Sequence, residues 1–135
     1  PFIGELSYSI QAFQNVNGTI NNDIIIGDEN NNKLRGNAGD DLINGGLGRN
    51  KLTGGDGADT FVFVGGNDVI KDFKPEDGDL ISIESLLNVE NNYLDESTYF
   101  TTEQIDRGTI INFDQGGQIM LVGVDQTDIQ MDWFI

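Results

Sequence analysis

The sequence predicts an all-β fold in which short stacked repeats are followed by a β-rich carboxyl-terminal cap. Three observations predict it: blocks of nine residues recur, one position in every block is apolar, and Gly, Asp and Asn dominate the residues between. An apolar residue isolated in so short a block cannot be buried by its own block, so neighbouring blocks must stack. We therefore expect a solenoid of short strands joined by glycine-rich turns.

Before the repeats, residues 1–17 alternate weakly between apolar and polar side chains (FIGELSYSIQAFQNV). This alternation predicts an edge strand or an amino-terminal cap. The chain starts with Pro1 and not with Met, so we expect it to be a fragment or a processed product of a larger protein.

The repeats run from residue 18 to residue 71 and read GTINNDIII, GDENNNKLR, GNAGDDLIN, GGLGRNKLT, GGDGADTFV and FVGGNDVIK. The sixth position holds an acid or its amide in every block: Asp23, Asn32, Asp41, Asn50, Asp59 and Asp68. The eighth position is always apolar: Ile25, Leu34, Ile43, Leu52, Phe61 and Ile70. Each block therefore predicts a polar turn followed by a short strand whose middle side chain points inward.

The block GGDGADTFV (residues 54–62) matches the nonapeptide G-G-x-G-x-D-x-U-x completely, and GNAGDDLIN departs from it once, at Asn37. The repeat region thus resembles the RTX family, whose fold is a calcium-binding parallel β-roll. Glycine brings backbone carbonyls close to an ion, and calcium prefers six to eight oxygen ligands. A disordered linker rich in Gly and Asn does not explain the apolar eighth position, but we expect that state when calcium is absent.

Two nonapeptides make one turn of such a roll, so turns 18 residues apart share an edge. One edge, called the aspartate edge below, carries Asp23, Asp41 and Asp59. The other, called the asparagine edge, carries Asn32, Asn50 and Asp68. Calcium affinity rises with ligand charge, so we expect firm sites on the aspartate edge and weak, empty or partly filled sites on the asparagine edge.

The resemblance also implies ligand sets, and about three or more ions in total. The first ion on the aspartate edge would lie among Thr19, Asn21, Asp23, Gly36, Ala38 and Asp41. The second would lie among Asn37, Gly39, Asp41, Gly54, Asp56 and Asp59. The third would use Gly55, Gly57 and Asp59, with Asp72 as the first choice for closing it. The asparagine edge would offer Asp28, Asn30, Asn32, Gly45, Leu47 and Asn50, then Gly46, Gly48, Asn50, Phe63, Gly65 and Asp68.

Residues 72–135 form the predicted cap, because the open end of a roll needs a cover. The stretch NDVIKDFKPEDGDLISI resembles the cap of serralysin-type proteases. Two strands are predicted at 108–114 and 117–124, around the hairpin signal Gln115-Gly116. The ending Asp132-Trp133-Phe134-Ile135 resembles the export signal of type I secretion substrates. It is equally typical of a last strand whose aromatics pack on the cap, and the two hypotheses are compatible.

The composition excludes several functions. The chain has no Cys and no His, so thiol chemistry and a Ser–His–Asp site are excluded, and we expect no enzyme in this chain. The net charge of −16 makes nucleic acid and anionic membranes poor partners and a hard cation a good one. No apolar run is long enough to predict a transmembrane helix, so we expect no membrane insertion.

The sequence therefore predicts a secreted, extracellular bacterial module that folds on meeting calcium and supports secretion by type I machinery. The alternative hypothesis is a calcium-dependent module that binds anionic polysaccharide, as in modules attached to mannuronan epimerases. Four bases in the repeats of the asparagine edge are the candidate contacts: Lys33, Arg35, Arg49 and Lys51.

Overall fold

The repeats fold into a parallel β-roll built from two sheets. The computed structural model describes the backbone of residues 9–11 and the whole of residues 15–84 and 100–135. The roll contains β1 (Ser9–Gln11), β2 (Asn15–Asn17), β3 (Ile24–Ile26), β4 (Lys33–Ala38), β5 (Leu42–Asn44), β6 (Arg49–Asp56), β7 (Thr60–Val62), β8 (Asn67–Ile70) and β9 (Leu80–Ser82). The predicted amino-terminal strand over 1–17 falls partly outside the described residues, and β1 and β2 lie within its range.

Strands alternate between the two sheets, which confirms the predicted roll. The odd-numbered strands form a five-stranded sheet in the order β1-β3-β5-β7-β9. The even-numbered strands β2, β4, β6 and β8 lie side by side in a second sheet. The pairs within the repeats are parallel and 18 residues apart, as in Ile25 with Ile43 and Leu34 with Leu52. Two nonapeptides therefore make one turn.

The core of the roll is the stack of eighth-position side chains. All six, from Ile25 to Ile70, are at most 1% exposed. The stack continues upstream through Val16 and downstream through Ile81, which are also buried. Removal of these side chains from water is the main favourable contribution to the fold.

The described strands of the carboxyl-terminal region extend the second sheet of the roll. They contain β10 (Phe100–Ile105), β11 (Gly108–Phe113) and β12 (Gln118–Val122), which run antiparallel to one another. The predicted hairpin of β11 and β12 is confirmed, and β10 is an additional strand. The register of β12 beside β8 is parallel, with Gln118 opposite Asn67, so all seven strands form one sheet.

The last residues pack on the end of the roll. Trp133 and Phe134 are buried. The ring centroid of Trp133 lies 5.3 Å from that of Phe73, and the ring centroid of Phe134 lies 4.9 Å from that of Phe100. Ile135 donates its N–H to the carbonyl of Ile81 at 2.9 Å. The aromatics therefore belong to the core. Within the described part of the chain, no helix has the length and apolar character needed to cross a membrane.

Candidate metal centre

The sixth-position aspartates connect consecutive turns of the aspartate edge. Asp23 donates its N–H to Oδ1 of Asp41 at 2.8 Å, and Asp41 donates its N–H to Oδ1 of Asp59 at 2.9 Å. All three residues are at most 2% exposed. One oxygen of each accepting carboxylate is therefore used by the preceding turn, and the other remains for a further partner.

At two residues of the aspartate edge, the second carboxylate oxygen has no hydrogen-bond donor. Oδ2 of Asp41 and Oδ2 of Asp59 are both buried and unpartnered. A Cβ added to Gly36 would collide with Oδ2 of Asp41, and one added to Gly54 would collide with Oδ2 of Asp59. Glycine at the first position thus leaves space beside a buried, unpaired oxygen. Since an unpaired buried carboxylate is costly, a cation at this place explains the arrangement.

Burial also changes the titration of these carboxyls. It raises the pKa of Asp41 to about 6, against the opposing effect of the N–H from Asp23. It raises the pKa of Asp59 to about 7, helped by the nearby charges of Asp79, Asp41 and Asp72. A bound cation would reverse this effect, because a nearby positive charge favours the ionised form.

The aspartate edge ends in a turn that holds two more acids. Asp72, the predicted closing ligand, accepts N–H groups from Gly54 at 2.9 Å and Gly55 at 2.8 Å. Asp79 was not predicted, and its Oδ1 accepts the N–H of Asp59 at 2.9 Å. Asp41 and Asp59 each accept the equivalent hydrogen bond in the two earlier turns. Asp79 therefore occupies the sixth position of the next turn.

The sequence contained a signal for Asp79. Asp79-Leu80-Ile81 repeats the pattern of an aspartate followed two residues later by a core aliphatic. Its spacing from Asp59 is 20 residues and not 18, because the turn Pro75–Asp77 is a 3-10 helix that lengthens the connection. A search of the sequence in consecutive blocks of nine residues therefore does not place Asp79 at a sixth position.

The asparagine edge has the same stacking with different chemistry. The N–H of Asn32 donates to Oδ1 of Asn50 at 2.9 Å, as in the aspartate edge. Nδ2 of Asn32 donates to the carbonyl of Asn30 at 2.7 Å, and Nδ2 of Asn50 donates to Oδ1 of Asp68 at 2.8 Å. Burial raises the pKa of Asp68 to about 7, although the Asn50 hydrogen bond acts in the opposite direction.

Of the remaining predicted ligands, Gly36, Asn37 and Ala38 lie at the end of β4, and Gly54, Gly55 and Asp56 lie at the end of β6. The others lie between strands. The second and fourth positions stack in columns, since a Cβ on Gly39 would lie 2.6 Å from the carbonyl oxygen of Asn21. Phe63 differs, because its ring is buried and stacks on Phe113 with a centroid distance of 4.6 Å. Among the described residues no group of three or more acidic side chains is placed so that it could hold a metal ion. Main-chain oxygens would therefore have to complete any site.

The comparisons with known proteins agree with this geometry. Residues 17–52 and 42–70 match the family model of the RTX calcium-binding nonapeptide repeat, in four copies. The matched segments cover most of the roll and not the whole chain. The stacked turns described above thus lie in the part of the chain that is similar to RTX calcium-binding repeats, as the sequence predicted.

A solved structure has the same architecture as this RTX roll. It is the AlgE6R3 subunit of the mannuronan C5-epimerase of Azotobacter vinelandii, with a TM-score of 0.68 and 26% sequence identity. The likeness covers 100% of this chain and 81% of that one. No curated protein sequence matches the chain.

The one departure in the RTX block GNAGDDLIN is accommodated by its residue type. Asn37, where the motif has Gly, has a φ of 76° and is the one non-glycine residue with positive φ in the described part of the chain. Asn tolerates the left-handed region better than most residues. Its Nδ2 also donates to the carbonyl of Gly18 at 2.8 Å, which links it to the turn before.

Proposed function

We propose that the aspartate edge binds a row of calcium ions and that the roll folds as these ions bind. The observation that carries the proposal is the pair of buried, unpartnered Oδ2 atoms of Asp41 and Asp59, each beside a first-position glycine. Calcium accepts a mixture of carboxylate and carbonyl oxygens in irregular geometry. These turns offer that mixture.

We assign the ions to the ligand sets predicted above, with one addition. Asp41 would contribute to the first and second ions, and Asp59 to the second and third. The third ion would lie between Asp59 and the last turn, where Asp72 is the candidate closing ligand and Asp79 is the added residue. Asp79 uses Oδ1 for Asp59 and Oδ2 for the N–H of Lys74 at 2.8 Å, so its contribution is to hold the turn in place and to add negative charge.

A matched pair of neighbouring acids tests this assignment. Asp41 is buried, whereas Asp40 beside it is exposed, with Oδ1 accepting the N–H of Ala58 at 2.8 Å. Asp41→Asn should raise the calcium midpoint for folding about tenfold or more, because it removes charge from two sites at once. Asp40→Asn removes the same charge and should shift the midpoint little. Calorimetric calcium titration measures both, and equal shifts would contradict the assignment.

We further propose that the chain belongs to a secreted bacterial protein and leaves the cell by type I secretion. Free calcium is low inside cells and high outside. Extracellular calcium modules bind with dissociation constants on the order of 10⁻⁴–10⁻³ M. The chain would then stay unfolded during export and fold outside. The burial of Trp133 and Phe134 supports this order, because these two aromatic side chains of the tail are accessible only before folding.

The export signal is best tested at its exposed residue. Substitution of Trp133 or Phe134 would also damage the core, whereas Asp132 is exposed. Asp132→Lys should reduce secretion through a type I exporter without changing calcium-dependent folding in the purified protein. Asp128→Lys, an exposed acid four residues earlier, is the matched control. Equal secretion of both variants and the parent would leave the tail with a structural role alone.

A second candidate function is binding of an anionic polysaccharide in calcium. Lys33, Arg35 and Lys51 project outward from β4 and β6, and Lys33 lies opposite Lys51. A groove beside them is lined by Arg49, Asn67 and Gln118. This basic face, in a chain of net charge −16, favours an anionic polymer.

Titration with alginate oligomers in saturating calcium distinguishes this candidate. Lys51→Ala should weaken binding several-fold, whereas Arg107→Ala, at an exposed position before β11, should not. Binding that is absent in the parent chain, or equally weakened by both substitutions, would remove the candidate.

A further inference from the structure

The two edges of the roll present opposite groups at equivalent positions. On the aspartate edge, the atom that faces the first-position glycine is a carboxylate oxygen, Oδ2 of Asp59 beside Gly54. On the asparagine edge, the corresponding atom is an amide nitrogen. Nδ2 of Asn50 lies 2.5 Å from a Cβ placed on Gly45. An acceptor on one edge is thus replaced by a donor on the other.

Hydrogen bonding from the neighbouring turn determines which way the Asn50 amide points. Oδ1 of Asn50 accepts the main-chain N–H of Asn32 at 2.9 Å, in a buried contact. Rotation of the amide by half a turn would place an NH₂ group against that N–H, and two donors cannot pair. Oδ1 must therefore face Asn32, and Nδ2 must face the space beside Gly45.

The NH₂ groups donate to carbonyls that a calcium ion would otherwise use. Nδ2 of Asn32 bonds the carbonyl of Asn30 at 2.7 Å and lies 3.3 Å from the carbonyl oxygens of Asp28 and Gly45. Nδ2 of Asn50 lies 3.3 Å from the carbonyl oxygens of Gly46 and Leu47. Asp28, Asn30, Gly45, Gly46 and Leu47 all belong to the ligand sets implied for this edge by the resemblance.

We propose that the side-chain amides of Asn32 and Asn50 replace the cation on the asparagine edge, so that this edge holds its turns together without calcium. An amide NH₂ carries partial positive charge and two donors, which satisfy clustered carbonyl oxygens as an ion does. The same NH₂ repels a divalent cation. The proposal rests on the proposed function in one respect: calcium binding by the aspartate edge is the reference with which the asparagine edge is compared.

The consequence is a roll with two kinds of edge. Calcium ions connect the turns of the aspartate edge, whereas hydrogen bonds of the side-chain amides connect those of the asparagine edge. The number of bound ions is then limited to the sites of the aspartate edge. A single change of NH₂ to O⁻ at the sixth position should convert one edge into the other.

The experiment counts calcium ions per chain by equilibrium dialysis and measures thermal unfolding in saturating calcium. Asn50→Asp should raise the count by one, since it places a carboxylate next to Asp68 and the carbonyls of the turn. Asn50→Ala should leave the count unchanged and lower the melting temperature, because the bridging hydrogen bonds are lost. Asn32→Asp, one turn earlier, should also add an ion and serves if Asn50→Asp does not fold.

Two outcomes would overturn the proposal. A lower count in Asn50→Ala would show that Asn50 is a calcium ligand. An unchanged count in folded Asn50→Asp and Asn32→Asp would show that the amide is not what excludes the ion. Failure of the proposed function looks different: the parent chain would then bind no calcium on its aspartate edge, while the two Asp variants would still gain an ion.

Discussion

The sixth-position side chains carry out most of the polar chemistry of the roll. Each has two terminal atoms, and at Asp41, Asn50 and Asp59 one of them accepts a main-chain N–H from the preceding turn. The second atom is what differs between the edges. Because both atoms are buried, each needs a partner, and the partner that fits is decided by the charge and hydrogen count of that second atom.

Asp68 allows a pH test of this chemistry. Its pKa is raised from 3.8 to about 7 in the folded chain. Its favourable contribution to stability is therefore complete only below about pH 4 and is lost as the pH rises through about 7. Asp68→Asn keeps an oxygen for Asn50 and removes the buried charge. In saturating calcium it should stabilise the fold at pH 8 by up to about 4 kcal/mol, and by less at pH 5.

Thermal unfolding at the two pH values measures this difference, with Asp114→Asn at an exposed position as the control for net charge. A loss of stability in Asp68→Asn at pH 8 would show instead that the Asp68 carboxylate has a cationic partner.

Among the strands, the junction of β8 with β12 decides how the cap is attached. β12 is the one strand of the carboxyl-terminal hairpin that pairs with the roll in the described residues. The N–H of Gln118 donates to the carbonyl of Gly66 at 2.9 Å, just where the hairpin turn ends. The turn must therefore approach the last repeat closely, which restricts the residue that precedes Gln118.

Two adjacent glycines test this approach. Both Gly116 and Gly117 have positive φ, at 105° and 89°, so alanine is strained at either. A Cβ on Gly117 would lie 2.5 Å from the carbonyl oxygen of Gly66 and 2.9 Å from the ring of Phe63, whereas one on Gly116 meets nothing within 4 Å. Gly117→Ala should therefore cost about 1–3 kcal/mol more than Gly116→Ala.

Denaturant unfolding in calcium gives the two free energies. Equal losses would mean that backbone strain alone matters at this turn and that contact with the roll does not restrict it.

For the molecule as a whole, charge and glycine content oppose folding without an ion. The chain has 18 glycines and a net charge of −16, and the aspartate edge stacks Asp41, Asp59 and Asp79 in buried positions. Ordering glycine-rich turns costs backbone entropy, and the buried acids add a desolvation cost. Calcium offsets both, since ligand binding energy becomes folding energy.

We therefore expect circular dichroism in excess chelator to show a largely disordered chain, with β signal appearing cooperatively as calcium is added. Magnesium should substitute poorly, because it requires a tighter octahedral shell. Sodium chloride at matched ionic strength controls for simple screening of the negative charge. A fully folded chain in excess chelator would contradict calcium-dependent folding.

The elements predicted best are those encoded within a single block. The eighth-position core, the polar turns and the hairpin at Gln115-Gly116 depend on residues close together in sequence, and all are present in the structure. Asp79 was missed because the longer turn at Pro75–Asp77 shifts the period by two residues. Strand β10 was missed as well, since its four middle residues, 101–104, are all polar and do not alternate with apolar residues.

The sequence by itself determined the nonapeptide period, the identity of the inward-facing side chains and the uneven distribution of acids between the two edges. Only the tertiary structure decided that β12 pairs with β8, where the partners Gln118 and Asn67 are 51 residues apart in the sequence. It also decided that Oδ1 of Asn50 faces Asn32. The physical reason is the same for both. A repeat pattern records which residues are buried, whereas a strand pairing or an amide orientation depends on which donor and acceptor groups distant parts of the chain bring together.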